Sequence, residues 1–430
     1  MKTRRFSEDK LYSNATLLMA RGIVTSVLGF FFWTIVARLY STEDVGLGVT
    51  MISAATLLAL ISTLGFEISI VRFLPSSKKE DVEKIINSCL MMAGIFCILV
   101  STLFITNIGV WSAGLTFIKD DVTVLFLFMA FVLSWLMSEL IDSVFISQRT
   151  AKFVLFKGII ASVLKFLIAL VALPLGAFGI FVAWGVADLI SLLVYYLYFI
   201  PKILPGYRIK PVISRDVIDN LIRFSFANYS AKILGIVPIL LLPLMITSLL
   251  SEEMSAYFYI AWMIANVLFI ISFTISQSLL AEASTHEERM GELVIKSITF
   301  ALVLIIPGIV FLLLFGDWFL LLFGADYSEN ATQLLHIFAL SSIPFAFTNL
   351  YFSVMNIRKR LKNIILMNAL VAVVTLIGSY VLIADMGLMG VGFSWICARV
   401  LAVILIGVLE IRNIAGFYVK ATRAMTFNKP

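Results

Sequence analysis

The feature that most constrains this chain is a series of twelve apolar runs, each long enough to cross a lipid bilayer as a helix. A helix needs about 20 mostly apolar residues to span the hydrocarbon, and backbone groups in lipid must be hydrogen-bonded within the segment itself. Only 13% of the 430 residues are charged, too few to cover the surface of a soluble protein of this length. The sequence therefore predicts an all-α membrane protein. The predicted spans are 13–37, 46–70, 86–106, 122–145, 154–174, 179–200, 224–249, 255–280, 295–315, 332–355, 363–384 and 388–410.

The loops between these runs alternate in charge. Most of the 32 Lys and Arg residues lie at the two termini and in every second loop, whereas the other loops carry only Arg38 and Lys119 and are rich in acids. Lys and Arg next to membrane spans are retained on the cytoplasmic side. The alternation predicts a multi-pass protein of the cell (cytoplasmic) membrane with both termini in the cytoplasm.

The longest connection on the basic side divides the spans into two sets of six. We expect an N-terminal six-helix lobe over residues 1–200, a cytoplasmic linker over 201–223, and a C-terminal six-helix lobe with a cytoplasmic tail over 224–430. Within the linker, the stretch PVISRDVIDNLIRF alternates apolar and charged residues at helical spacing. This pattern predicts a short helix lying at the membrane interface.

The two halves resemble repeats of one another. A Gly-x-x-Gly motif followed by Trp184 recurs at an offset of 211, followed by Trp395, and Arg149 matches Arg360 at the same offset. Because six spans return the chain to the side from which it started, both halves have one orientation. We therefore expect about twelve helices in two lobes related by a pseudo-two-fold axis along the membrane normal.

Three basic residues lie deep inside predicted spans, namely Arg21, Lys232 and Arg399. Each lies roughly 13–16 Å from the cytoplasmic end of its helix, where an unpaired charge costs at least about 2.5–3.5 kcal/mol. No acid at a matching depth can be assigned to them, so they predict a cavity that binds an anionic substrate. Asn14 and Asn228 share polar helical faces with Arg21 and Lys232 and are predicted to line the same cavity. The alternative is that some of these bases pair with acids elsewhere.

Acidic residues in the first six spans allow two interpretations. Lys165 and Asp188 lie at one depth and Lys157 and Asp142 at another, which favours two ion pairs between helices. Alternatively, Asp188, Glu139 or Asp142 is a coupling site for H⁺ or Na⁺.

No pattern in the sequence indicates catalysis, a metal site or a cofactor. The three cysteines all lie inside apolar runs and the two histidines are far apart, so neither a disulfide framework nor zinc-ligand spacing is indicated. No loop is long enough for a nucleotide-binding or catalytic domain, and we do not expect an enzyme. The basic residues form short clusters between spans, which indicates membrane topology and not nucleic-acid binding.

The first two spans resemble the opening of a known transporter family. The residues concerned are Ala37-Arg38-Leu39-Tyr40-Ser41-Thr42-Glu43-Asp44-Val45-Gly46, then Leu64-Gly65-Phe66 and Val71-Arg72-Phe73-Leu74-Pro75. They resemble the polysaccharide-export flippases, the Wzx-type members of the multidrug/oligosaccharidyl-lipid/polysaccharide exporter superfamily. The step Thr63-Leu64-Gly65-Phe66 lacks an acid that is sometimes seen in the family. The resemblance covers residues 11–410 or so, and its motifs are structural turns.

The resemblance implies a function as well as a fold. The family flips lipid-diphosphate-linked oligosaccharides across the cytoplasmic membrane by alternating access between two lobes, with spans one and seven lining a cationic cavity. The implied partners are the lipid-linked glycan, membrane lipid, H⁺ or Na⁺, and other glycan-assembly proteins. Two alternatives stay open. One is an ion-coupled exporter of drugs or organic cations from the same superfamily, and the other is a membrane-embedded glycan-assembly enzyme or partner.

Overall fold

The computed structural model describes the backbone of residues 2–427, and the side chains of residues 17–409 apart from 19, 79, 80, 217 and 287. The secondary structure of this part of the chain is helical. The helices are α1 (Lys2–Leu39), α2 (Thr42–Ser62), α3 (Phe66–Phe73), α4 (Lys79–Thr106), α5 (Ile108–Trp111), α6 (Phe117–Asp120), α7 (Val122–Ser147), α8 (Ala151–Val171), α9 (Gly176–Val194), α10 (Ile200–Ile203), α11 (Arg215–Leu249), α12 (Glu252–Ala283), α13 (Met290–Leu321), α14 (Ala325–Ile357), α15 (Leu361–Met386) and α16 (Leu388–Phe427). A π-helical turn over Tyr195–Phe199 joins α9 to α10.

Within the described residues, 12 helical segments are long and apolar enough to cross a membrane. They correspond one to one with the predicted spans, so the predicted class, an all-α membrane protein of about twelve spans, is confirmed. Several helices extend past their apolar run at one or both ends. The helices α13 and α14, for example, have 32 and 33 residues, because an α-helix that leaves the hydrocarbon can continue into the polar interface.

The second predicted span, 46–70, is interrupted in the structure. Leu64 (φ 51°) and Gly65 (φ 76°) both adopt the left-handed conformation between α2 and α3, and two such residues in succession end a right-handed helix. The turn packs closely on α11, since a side chain at Gly65 would lie 2.8 Å from Ser225 Oγ. The sequence predicts an unbroken span because apolar residues continue on both sides of the turn.

The predicted linker has a different secondary structure from the one expected. Residues 204–214 are not helical, and residues 215–223 form the first turns of α11. Residues 215–223 are therefore helical but not a separate short helix, and their position at the membrane interface stays a prediction. No proline or glycine separates 215–223 from the apolar run that follows, so the helix continues directly into the span.

The basic turns at the ends of α7 and α14 have the same geometry. Arg149 and Lys359 have φ angles of 55° and 56°. In each turn the amide of the next residue donates a hydrogen bond to the carbonyl five residues earlier, at 3.0 Å after Arg149 and 2.8 Å after Lys359. The structural equivalent of Arg149 is therefore Lys359, and the predicted match with Arg360 is wrong by one position.

Close packing divides the chain into two compact units. The first comprises Met1–Ile260 and Trp318–Ala331, and the second comprises Ala261–Asp317 and Thr332–Pro430. The predicted lobe boundaries at residues 200 and 224, and the pseudo-two-fold axis, stay predictions.

Contacts with α2 hold α11 and the start of α12 in the first unit. These contacts lie at the helix ends next to the acid-rich loops. Gly46 lies so close to the backbone carbonyl of Glu252 that no side chain could be accommodated there. Four residues later, Thr50 Oγ1 is 2.7 Å from Thr247 Oγ1 on α11. These hydroxyls are fully or almost fully buried, so α2, α11 and α12 are closely packed at this end.

Candidate functional site

The first unit contains a charged cavity of about 350 Å³, a volume typical of ligand sites. Its walls are formed by α1, α2, α7, α8, α9 and α11. Its lining residues lie in the middle of these helices and in the parts nearer the basic loops. The ionisable residues that line it are Arg21, Glu139, Asp142, Lys157, Lys165, Asp188 and Lys232.

Asp142 lies between two bases on the cavity wall. Its Oδ2 accepts a hydrogen bond from Arg21 Nη2 at 3.0 Å, and its Oδ1 accepts one from Lys157 Nζ at 3.1 Å. The Asp142 and Lys157 side chains are only 7% and 6% exposed, whereas that of Arg21 is 34% exposed. The predicted Lys157–Asp142 ion pair is confirmed. The prediction that Arg21 has no acidic partner is wrong, because the two oxygens of one carboxylate bind two bases.

Lys232 lies between two carboxylates on another part of the wall. Its Nζ donates to Glu67 Oε1 at 3.1 Å and to Glu139 Oε1 at 3.2 Å. The prediction that Lys232 lacks an acidic partner is therefore wrong as well. The turn between α2 and α3 lets Glu67 reach Lys232 on α11.

The predicted ion pair between Lys165 and Asp188 is replaced by two other interactions. Asp188 accepts hydrogen bonds from the hydroxyls of Ser134 and Ser138 on α7, at 2.8–3.0 Å. Lys165 Nζ lies 3.3 Å from the centroid of the Trp184 ring. A cation over an indole face is stabilised by the ring quadrupole. Among the described side chains, no carboxylate oxygen lies within 4.0 Å of Lys165 Nζ.

The charges at the cavity balance. Four bases and four acids take part, with Arg21, Lys157, Lys165 and Lys232 facing Glu67, Glu139, Asp142 and Asp188. Of the bases predicted to lack acidic partners, Arg21 and Lys232 have them, whereas Lys165, which is predicted to pair with Asp188, forms no ion pair with a described carboxylate. Among the acids that form these ion pairs, Glu139 is the most accessible to water, because its side chain is 50% exposed.

Two of the other predicted binding residues, Arg399 and Asn228, do not line this cavity. Arg399 lies in the second unit and is 6% exposed. Its guanidinium stacks on the rings of Phe345 and Trp395, at 4.7 and 4.6 Å. Asn228 is half-buried on α11, one turn before Lys232, and is absent from the lining residues. Asn14 lies outside the described side chains.

Sequence reasoning missed the importance of Lys165, Trp184 and Glu67. A signal for the first two was available, since Trp184 lies one helical turn before Asp188 and Lys165 was at the depth of Asp188. For Glu67 the available signal was Gly65, since glycine is favoured at the left-handed end of a helix, and the position of Glu67 depends on the left-handed turn that precedes α3.

Comparison with known proteins gives a family for the chain. A family model described as "Polysaccharide biosynthesis protein" matches residues 11–280, more than half of the sequence. No curated protein matches the chain in sequence.

Several solved structures share the fold. The lipid II flippase MurJ in an inward closed conformation has a TM-score of 0.73 at 12% identity, over 90% of this chain and 86% of its own. An inward-facing multidrug resistance MATE family transporter of the MOP superfamily has a TM-score of 0.69 at 14% identity, over 91% of this chain and 94% of its own. A MOP superfamily transporter from Pyrococcus furiosus has a TM-score of 0.61 at 13% identity, over 98% and 96%. At these identities the likeness establishes the fold, which is that of membrane transporters.

Proposed function

Because this chain belongs to the polysaccharide biosynthesis protein family, we propose that it flips a lipid-linked oligosaccharide or polysaccharide precursor across the cell membrane. The transport would proceed by alternating access. We take the basic loops and both termini as cytoplasmic, since Lys and Arg are retained on that side. The cavity residues then lie between the midplane and the cytoplasmic face, where such a precursor would be collected.

The observation that carries the proposal is the position of Lys165. This base lies inside the cavity over the Trp184 ring, and no described carboxylate is close enough to form an ion pair with it. A charge at this depth is costly until it is neutralised. The diphosphate of a lipid-linked sugar would give Lys165 an anionic partner, so we assign Lys165 the first contact with that group.

Arg21 and Lys232 are suited to a second stage of binding. Arg21 can exchange Asp142 for a phosphate, which its guanidinium binds through two parallel hydrogen bonds. Asp142 would keep its bond to Lys157 during the exchange. Lys232 contacts two carboxylates and can release one of them while keeping the other. The ion pairs would thus hold the empty cavity together and open when the anion arrives.

The balance of charges supports coupling to an ion. An anionic substrate that enters a neutral cavity brings a surplus of negative charge, which is costly in a membrane. Uptake of H⁺ or Na⁺ by Glu139, Asp142 or Asp188 would cancel this surplus. Glu139 is the best placed of the three to exchange an ion with water, because its side chain is half exposed.

Flipping in proteoliposomes tests the proposal. A fluorescent lipid-linked oligosaccharide is reconstituted with the protein, and its accessibility to a membrane-impermeant glycosidase is followed with time. We expect protein-dependent flipping, a loss of at least about tenfold in Lys165→Gln, which is about 1.4 kcal/mol, and substantial recovery in Lys165→Arg. Lys119→Gln is the matched control, since it removes an exposed base from the short helix α6, outside the cavity.

The possible outcomes separate the function from the site. Flipping that survives Lys165→Gln unchanged would retain the function and reject the role of this base. No flipping of any lipid-linked glycan, together with proton- or sodium-driven efflux of organic cations, would identify a multidrug exporter instead. Turnover of the glycan by the protein alone would identify a glycan-assembly enzyme.

A further inference from the structure

The second unit has an open groove of about 450 Å³ that the proposed transport does not use. It is lined by α13, α14 and α16, and its walls are almost entirely apolar. Val294, Leu350 and Val403 are typical of its lining, and Arg358 is its one charged lining residue. An apolar groove with a single base suits a ligand that has an apolar chain and an anionic end.

The groove lies at the end of the unit that carries the basic turn. Its lining begins at Met290, the first residue of α13, and includes Arg358, which directly follows α14. Lys359, Arg360 and Lys362 come next, with no acid among residues 358–362. Arg358 and Lys359 are exposed. The α14 side of this end of the groove therefore carries a run of bases, whereas on the α13 side Arg289 is paired with Glu292.

Two glycines on different helices help to make the groove open. Gly291 is in the first turn of α13 and Gly407 is in α16, and both line the groove. A Cβ atom built on either glycine would meet nothing within 4 Å. Larger side chains at these two positions would consequently project into empty space and fill the groove without disturbing the backbone.

We propose that this groove is a binding site for an anionic phospholipid of the cytoplasmic leaflet. One acyl chain lies along the apolar walls, and the headgroup phosphate contacts Arg358. A guanidinium has five N–H donors, so Arg358 can bind a phosphate while it keeps its contacts within the protein. Basic pockets between membrane helices on the cytoplasmic side are a common site for anionic headgroups. A zwitterionic lipid would lack the net charge that the basic turn attracts.

Native mass spectrometry of the full chain tests this inference without any transported substrate. The protein is purified in mild detergent and titrated with phosphatidylglycerol or with phosphatidylcholine of the same acyl chains. We expect preferential retention of phosphatidylglycerol. Arg358→Gln should weaken that retention by about fivefold, the effect of one basic residue at a lipid surface, and reduce the preference for phosphatidylglycerol over phosphatidylcholine. The double variant Gly291→Leu/Gly407→Leu should lose the retained lipid.

A glycine outside the groove provides the control for these leucine substitutions. Gly29 on α1 also has nothing within 4 Å of its Cβ position, so Gly29→Leu should retain phosphatidylglycerol as the wild type does. Equal retention of both lipids by the wild type would overturn the proposal, and so would normal retention in the double leucine variant. A double variant that keeps phosphatidylglycerol but loses a polyprenyl diphosphate would also overturn it and assign the groove to the carrier lipid. If the double variant does not fold, the Arg358→Gln titration decides alone.

Discussion

Gly176 and Gly387, which are 211 positions apart in the sequence, adopt the same backbone conformation. Their φ angles are both 54°, and their ψ angles are −136° and −135°. Gly387 directly follows α15, whereas a 3-10 turn over Leu173–Leu175 separates the end of α8 from Gly176, and both glycines lead into the next helix. The surroundings of the two differ, since Asp44 Oδ1 accepts a hydrogen bond at 2.8 Å from the amide that follows Gly176. The same turn is therefore used twice, once with a carboxylate cap and once without this cap.

Replacement of each glycine by alanine should have unequal effects. Both substitutions force a side chain into a conformation that L-residues avoid, at about 1–3 kcal/mol. A Cβ atom at Gly176 would also lie 2.7 Å from Asp44 Oδ1, whereas at Gly387 it would meet nothing within 4 Å. Gly176→Ala should therefore lower the melting temperature in detergent more than Gly387→Ala. Equal losses would mean that the Asp44 cap contributes nothing to stability.

Sequence reasoning reached the spans because each one is a long apolar run, and no competing pattern interrupts most of them. It also reached the Lys157–Asp142 pair, since helical rise gives depth directly. It failed where rotation about the helix axis decides which charges meet. Asp188 faces the serines of α7 instead of Lys165, and residue depth alone carries no information on that choice. The turn at Leu64 was not predicted for another reason. A left-handed backbone conformation does not change the pattern of apolar residues along the chain.

Asp142 should be the residue of the cavity whose neutralisation most affects stability. Asp142→Asn would leave Lys157, which is 5% exposed, without its carboxylate, and breaking such a buried pair costs on the order of 3–5 kcal/mol. Arg21→Gln should cost about 1 kcal/mol or less, since Arg21 is partly exposed and Asp142 keeps Lys157. Thermal unfolding in detergent measures both. The double variant Asp142→Asn/Lys157→Met should recover much of the loss, and a fully additive loss would argue against direct coupling of this pair.

Trp184 should influence transport through Lys165. A cation–π contact contributes about 0.5–2 kcal/mol, so Trp184→Leu should raise the substrate concentration for half-maximal flipping by about twofold to thirtyfold. Trp184→Phe keeps a weaker ring face and should lie between Leu and the wild type. Because the Trp184 ring also packs against Phe32, Trp33 and Trp135, melting temperatures must accompany the kinetics. A fall in maximal rate alone would point to packing and not to substrate binding.

The linker between α10 and α11 should be released when Asn87 is replaced. Asn87 is 1% exposed on α4, and its Nδ2 donates to the carbonyl oxygen of Arg208 at 3.0 Å while its Oδ1 accepts from the Tyr207 hydroxyl at 2.8 Å. Asn87→Ala removes both bonds and leaves the Tyr207 hydroxyl without this acceptor, at about 1–3 kcal/mol. Trypsin should consequently cleave after Arg208 at least about fivefold faster than in the wild type.

The pKa of the Tyr207 hydroxyl allows the same experiment to be controlled by a change of pH. Burial, together with the nearby Glu83 and Tyr196, raises the pKa of the Tyr207 hydroxyl. A folded-state pKa above the unfolded value of about 10 stabilises the docked linker at all pH values below it, and this contribution is lost only as the pH rises past 10. Protection from trypsin should therefore be equal at about pH 7.5 and pH 9.

Tyr207→Phe should speed cleavage less than Asn87→Ala, because Asn87 keeps its bond to the Arg208 carbonyl. Cleavage in Asn87→Ala at the wild-type rate would show that other contacts, such as Ser88 Oγ accepting from Ser214 N at 3.1 Å, are sufficient to hold the linker.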